Sequence, residues 1–186
     1  MLLHIKNMVC DRCITVVRQQ LEHLDMQVSE ISLGTALVDP EPSENKLSEI
    51  AASLKVLGFE LIDKDKDKLI ERIRNIIIEL VHHSDLPEHV IFSQVLSERL
   101  NKDYSYLSRL FSDKEDLTIE KFIIQQKIEK VKELLQYGEL NLNEIAWKMG
   151  YSSSSHLSNQ FKAVTGQSPR EFKALENNSR KPLDKV

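Results

Sequence analysis

The sequence predicts an α+β chain: a βαββαβ ferredoxin-like unit, followed by an all-α unit made of two helix-turn-helix elements. Three observations lead there. The first sixty-odd residues alternate short strand-like runs with apolar stretches at helical spacing. Beyond them, the apolar residues keep to helical spacing. Within that second part, one stretch of sequence occurs twice.

From the N-terminus, Leu2 to Lys6 begins an apolar strand and leads into Met8-Val9-Cys10-Asp11-Arg12-Cys13. Ile14, Val17, Leu21 and Leu24 then mark the buried stripe of a helix. Met26 to Ile31 alternates with period two, Gly34 supplies a turn, and Thr35 to Val38 returns as a strand. Pro40 to Ser43 opens a second helix, whose stripe is Leu47, Ile50, Leu54 and Leu57. Gly58 stops it and Phe59 to Ile62 makes the fourth strand. Residues 1–63 are thus expected to form the first domain, and Lys64 to Lys68 a solvated linker or helix start.

Leu69, Ile73, Ile76 and Leu80 follow spacings of four, three and four, which would suit a homodimer seam. Ile70, Ile77 and Val81 widen that stripe, as in a helix packed inside a globule. His82 and His83 lie near its end, where a protonated imidazole suits the helix dipole. The second domain is expected over residues 67–175, with residues 176–186 as a flexible polar tail.

The repeated stretch runs from Asn141 to Phe172. Tyr106-Leu107-Ser108-Arg109-Leu110-Phe111 aligns with His156-Leu157-Ser158-Asn159-Gln160-Phe161 at an offset of 50, which holds to Phe122 against Phe172. Upstream, Leu96 to Leu100 aligns with Ile145 to Met149 at an offset of 49, so one turn holds an extra residue. In the second copy Leu142, Ile145, Ala146 and Met149 form an apolar face, with Asn141 or Asn143 as cap and Gly150 at a sharp stop. The serines from Ser152 to Ser155 offer the next cap, and Leu157, Phe161 and Val164 the next buried stripe. Ser154, Ser155, Ser158, Asn159 and Lys162 are left facing outward; the first copy presents Tyr104, Ser105, Ser108 and Arg109. Small donors and amides suit base edges, and Lys or Arg suits phosphate. One copy alone fits an ordinary solvated helix equally well; the duplication favours a pair of recognition helices.

From Lys68 to Lys173 the chain resembles the C-terminal DNA-binding domain of AraC/XylS-type transcriptional regulators. The resemblance rests on Ile145-Ala146, Gly150-Tyr151, Phe161-Lys162 and the closing Gly166-Gln167-Ser168-Pro169-Arg170-Glu171-Phe172, with Leu107 to Phe111 matching the first unit. Ile119 to Gln136 would be the joining helix. Ser97 replaces a usual alanine and Asp116 stands where glycine is common. The resemblance implies double-stranded DNA as partner, with base-edge contacts from Ser105, Ser108, Arg109, Ser154, Ser155 and Asn159. Lys162 and helix N-termini would hold phosphate. Two such helices about 34 Å apart would enter successive major grooves.

Residues 1–63 resemble the heavy-metal-associated domain, through the strand order and the Met-x-Cys-x-x-Cys at the first strand-helix junction. In that family both thiolates bind a soft ion, which implies Cu(I) or Zn(II) at Cys10 and Cys13 as a sensed ligand; DNA binding needs no cofactor. Soft sulfur ligands select such ions, and a helix N-terminus lowers a thiol pKa. Asn7 stands where that family has glycine, and Asp11 and Arg12 are charged where its residues are small. Asp11 could be an oxygen ligand for Zn(II), and Arg12 could stabilise thiolates without metal. Metal binding, thiol redox sensing and an inert vestige remain the three readings of the pair.

Composition sets the outer bounds. Two cysteines make no disulfide framework, and no stretch is apolar for long enough to span a membrane, so a cytoplasmic protein is expected, and the resemblance to regulators implies one that is not an enzyme. The net charge of −4 is uneven: residues 1–66 hold seven Lys/Arg against eleven Asp/Glu, whereas from Leu142 onward there are seven against four. That gradient leaves DNA binding open at the C-terminal end. A regulator is one function class this supports; a metal carrier or thiol protein with a helical appendage is the other.

Overall fold

The computed structural model describes residues 1–62, 64–83, 90–174 and 183–185. The chain divides into two compact units, Met1–Asn75 and Ile76–Val186.

In the first unit β1 (Leu2–Lys6), α1 (Asp11–His23), β2 (Gln27–Ser32), β3 (Thr35–Asp39), α2 (Glu44–Val56) and β4 (Glu60–Leu61) follow the expected βαββαβ order. The sheet is antiparallel in the order β2-β3-β1-β4. Strand alternation puts Leu3, Ile5, Ala36 and Val38 on the face that meets Val17, Leu21, Ile50 and Leu54 of the two helices. Ser43 caps α2 by accepting from the Lys46 amide. Leu57 departs from the expected stripe: it is the C-cap of α2 and 43% exposed, because the chain turns away there.

The helix α3 (Asp65–Ile78) starts within the charged run, and its first turns belong to the first unit. Glu71, almost fully buried, accepts from the Asn7 amide at 3.0 Å, and Asn75 donates to the Leu33 carbonyl at 3.4 Å. The expected joint at 64–66 thus overlaps the start of α3, while the compact units divide further along it. The division falls there because these polar side chains hold the helix to loops of the sheet. Asn7 itself lies at φ +71°, a conformation that favours glycine and that asparagine tolerates best among other residues. Its side chain donates to the Gly58 carbonyl at 2.9 Å. Asn7 therefore takes up a backbone conformation that favours glycine and adds a tether.

In the second unit a π-helical turn (Glu79–His83) precedes α4 (Phe92–Leu100), α5 (Tyr104–Glu115), α6 (Ile119–Tyr137), α7 (Leu142–Lys148), α8 (Ser154–Thr165) and α9 (Pro169–Ala174). Leu183–Lys185 is a short 3-10 turn; the rest of the expected tail, 176–182 and 186, lies outside the described residues. Leu96, Leu107, Phe111, Phe122, Ile128, Val131, Ile145, Leu157 and Phe161 are fully buried. Val164, expected in the stripe of α8, is 43% exposed: Leu157 and Phe161 suffice for that face. Ile70, Ile73, Ile77, Ile78 and Val81 are all buried, the wide stripe of a globular helix rather than a narrow dimer seam.

His82 is also a correction. Its Nε2 lies 2.9 Å from the side-chain Oε1 of Gln126, and the Gln126 side-chain Nε2 donates to the Leu183 carbonyl. Burial pulls the imidazole down to about 4, so the ring is neutral rather than protonated at the helix end. The unfolded chain therefore takes up a proton that the folded one refuses, and stability falls as pH drops from 6.5 toward 4. We expect His82 to account for about 3 kcal/mol of that loss. Urea titrations at both ends of the window check this: His82→Gln should lose less stability than wild type, and an equal loss would contradict it.

Candidate nucleic-acid interface and thiol pair

The duplication in sequence is a duplication of local geometry. Asp103 and Ser153 are the N-caps of α5 and α8. Leu107 and Leu157 are buried at matching positions, and so are Phe111 and Phe161. Phe111 stacks on Phe122 at 5.6 Å between centroids, and Phe161 on Phe172 at 5.5 Å. The helices end in the left-handed region at Asp116 (φ +52°) and Gly166 (φ +79°), and Thr118 and Ser168 then cap α6 and α9. The first helices end alike, at Asn101 (φ +50°) and Gly150 (φ +69°). Asp116 thus replaces glycine without changing the turn, since Asp and Asn tolerate this region. The extra residue falls between Gly150 and Ser153, where Tyr151 is buried.

Capping fixes the short α7. Asn141 accepts from the amides of Asn143 and Glu144, and Glu144 accepts from the Asn141 amide at 2.7 Å, a complete capping box. Its other end is closed by Lys127 of α6, whose ammonium donates to the Met149 carbonyl at 2.8 Å. The same ammonium lies 5.7 Å from the Phe92 ring, at the start of α4, and 5.4 Å from the Tyr151 ring. One cation on the joining helix thus touches both helix-turn-helix elements. Burial lowers its pKa.

The predicted recognition residues divide unevenly. Ser105, Arg109, Ser155, Asn159 and Lys162 are exposed, and Arg109 makes no ion pair among the described residues. Ser108 and Ser154 are half-buried, and the Ser158 hydroxyl is turned back to the Ser154 carbonyl at 2.8 Å. Tyr104, expected on the outward face, is not available there: its hydroxyl donates to Glu120 at the start of α6. Burial and that bond push the phenol pKa up, and the same bond holds the Glu120 carboxylate below its ordinary value against the opposing effect of burial. Tyr106 and His156, at matching positions in the first turns of α5 and α8, are also exposed, and the His156 ring meets Ser152 and the edge of Tyr151.

In the first unit Cys10 is the N-cap of α1 and its sulfur lies 3.4 Å from that of Cys13, both half-buried. Burial pushes the Cys13 thiol up, against the expectation that the helix end lowers it. Asp11 is exposed, and among the described residues no three Cys, His, Asp or Glu side chains gather as a ligand set. Two soft sulfur donors suit a low-coordinate soft ion such as Cu(I); a structural Zn(II) site needs four ligands.

Residues 96–174 match the family model of a helix-turn-helix domain. Over 84 residues, 45% of this chain, the protein is 33% identical to the Msm operon regulatory protein of Streptococcus mutans, covering 30% of it. Over 155 residues, 83% of this chain, it is 22% identical to the HTH-type transcriptional activator RhaS of Escherichia fergusonii, covering 54% of it. The chain thus spans about half, or less, of these relatives' length. Among solved structures, the C-terminal domain of AraT, a response regulator from Geobacillus stearothermophilus, is similar with a TM-score of 0.52 and 25% identity, over 62% of this chain and 92% of that one. The C-terminal part therefore carries the helix-turn-helix domain that its resemblance to AraC/XylS-type regulators implies. No helix among the described residues is long and apolar enough to cross a membrane.

Lys127→Met keeps the apolar stem and removes the charge. It should cost about 1–3 kcal/mol, since a charged hydrogen bond and two ring contacts are lost together. Thermal unfolding of the two proteins checks this, and equal stability would show that the ammonium adds nothing.

Proposed function

We propose that the chain is a sequence-specific, DNA-binding regulator of transcription of the AraC/XylS type, acting in the cytoplasm and not as an enzyme. The observation that carries this reading is the paired geometry of α5 and α8. Each begins at an exposed cap, is pinned by a buried Leu and Phe, and leaves its outer residues facing solvent. On α5 these are Ser105 and Arg109; on α8 they are Ser155, Asn159 and Lys162. A rigid joining helix between two such elements is the arrangement that lets one chain enter successive major grooves. The similarity to regulators of transcription supports the same class.

The test is selection of duplexes from a random pool by the full chain, followed by affinity measurements. Arg109→Ala and Asn159→Ala should each relax preference at one base position by about 1–3 kcal/mol. Unchanged preference in both would mean that other residues face the bases; no selection at all would remove the regulator reading.

Within this reading, the cysteine pair of the first unit is proposed to sense a soft metal ion, with thiol redox state as the other signal the pair could report. Two sulfurs 3.4 Å apart on the same helix end support this. When bound, Cu(I) would supply a new bond set between Cys10 and Cys13, and the deprotonation it needs makes its affinity rise with pH. Equilibrium binding of Cu(I) to wild type and to the Cys10→Ser/Cys13→Ser protein, with DNA affinity measured beside it, checks the assignment. Wild type alone should take up the ion and change its DNA affinity on doing so. Equal uptake by both proteins would remove the metal, and uptake without any effect on DNA would favour a carrier.

A further inference from the structure

We infer that Arg170 is a phosphate-contacting residue of the second helix-turn-helix element, and that the two elements are electrostatically unequal as a result. The inference rests on the DNA-binding reading above. Its basis is the repeat, read through one contact. In the first copy, the hydroxyl of Tyr104, the first residue of α5, donates to Glu120, so residue 120 sits beside the start of that recognition helix. The offset of 50 carries Tyr104 to Ser154 and Glu120 to Arg170. The equivalence holds in space, because Phe122 and Phe172 stack on Phe111 and Phe161 at nearly the same distance. Arg170 therefore lies beside the start of α8 as Glu120 lies beside the start of α5.

At that shared place the two copies differ in charge. The first carries two acids, Asp103 as the cap and Glu120 beside it, and the Asp103 carboxylate makes no capping bond. The second carries a neutral cap, Ser153, whose hydroxyl accepts from the His156 amide, and the cation Arg170. Arg170 is exposed and makes no ion pair among the described residues, since its neighbour Glu171 is turned back onto the Ser168 amide and hydroxyl. The start of a recognition helix is the part that approaches the duplex. A free guanidinium there meets the phosphate backbone on one side of the groove; a carboxylate in the same position repels it. At this position the second element thus supplies a sequence-independent contact that Glu120 of the first does not.

A phosphate contact needs no particular sequence, so the probe is a mixed-sequence genomic duplex, titrated with the full chain over a range of salt. Arg170→Ala should bind about five- to tenfold more weakly at 0.1 M salt, and its salt slope should be smaller by about 0.9. Arg170→Lys should keep most of the affinity. Glu120→Gln, whose amide oxygen still accepts from Tyr104, should move affinity the other way. Thermal unfolding confirms that each variant folds. Wild-type affinity and slope in Arg170→Ala, beside a wild type that binds, would overturn the inference alone. A wild type that binds no duplex even at low salt would overturn the DNA reading and this inference with it.

Discussion

The second unit depends on how one half-buried cation is accommodated. Lys127 stands in the middle of the joining helix, and its ammonium is partly shielded from water by groups of both helix-turn-helix elements at once. An ammonium placed there must find an acceptor and negative ring faces, or the burial is unfavourable. The Met149 carbonyl is free to accept because it is the C-cap of α7, beyond the reach of that helix's own amides. Phe92 and Tyr151 supply the rings, one from the start of the first element and one from the turn of the second. The constraint runs both ways: either element shifting away leaves the charge under-solvated. A repeated motif on a flexible connection would present two independent helices; this contact ties both elements to the joining helix.

Around that centre each element closes on itself by the same means. The Phe–Phe stack, the capped helix starts and the left-handed helix ends recur at the same offset, which is why the duplication was legible in the sequence alone. Local devices such as caps and left-handed positions are written in residues a few places apart, and their spacing survives in the sequence. Asn101 and Asp116 show the same point where glycine is missing, since each is a residue that tolerates the conformation. The strand order of the first unit was legible for a related reason: period-two alternation states which side chains share a face.

What the sequence hid depends on partners far along the chain. His82 looks like a helix-end cation until Gln126 and its own burial are seen, 44 positions away. Tyr104 looks outward-facing until Glu120 claims its hydroxyl. Val164 and Leu57 fit the helical period, but the neighbouring element stops short of covering them. Around the cysteines the helix end was expected to decide the thiol chemistry, yet at Cys13 burial outweighs it. The tether from Asn7 to Glu71 could not be read either, because it links the loop before the cysteines to a helix 64 positions later. That tether joins the loop before the thiol pair to the helix on which the chain leaves the first unit.

The most direct measurement of the central claim is the distance between nitroxides placed on Ser105 and Ser155, read by pulsed electron resonance on the free protein. A single narrow distribution near one duplex turn, about 34 Å, is what a joining helix locked to both elements should give. A broad or two-peaked distribution, narrowing only when DNA is added, would contradict it.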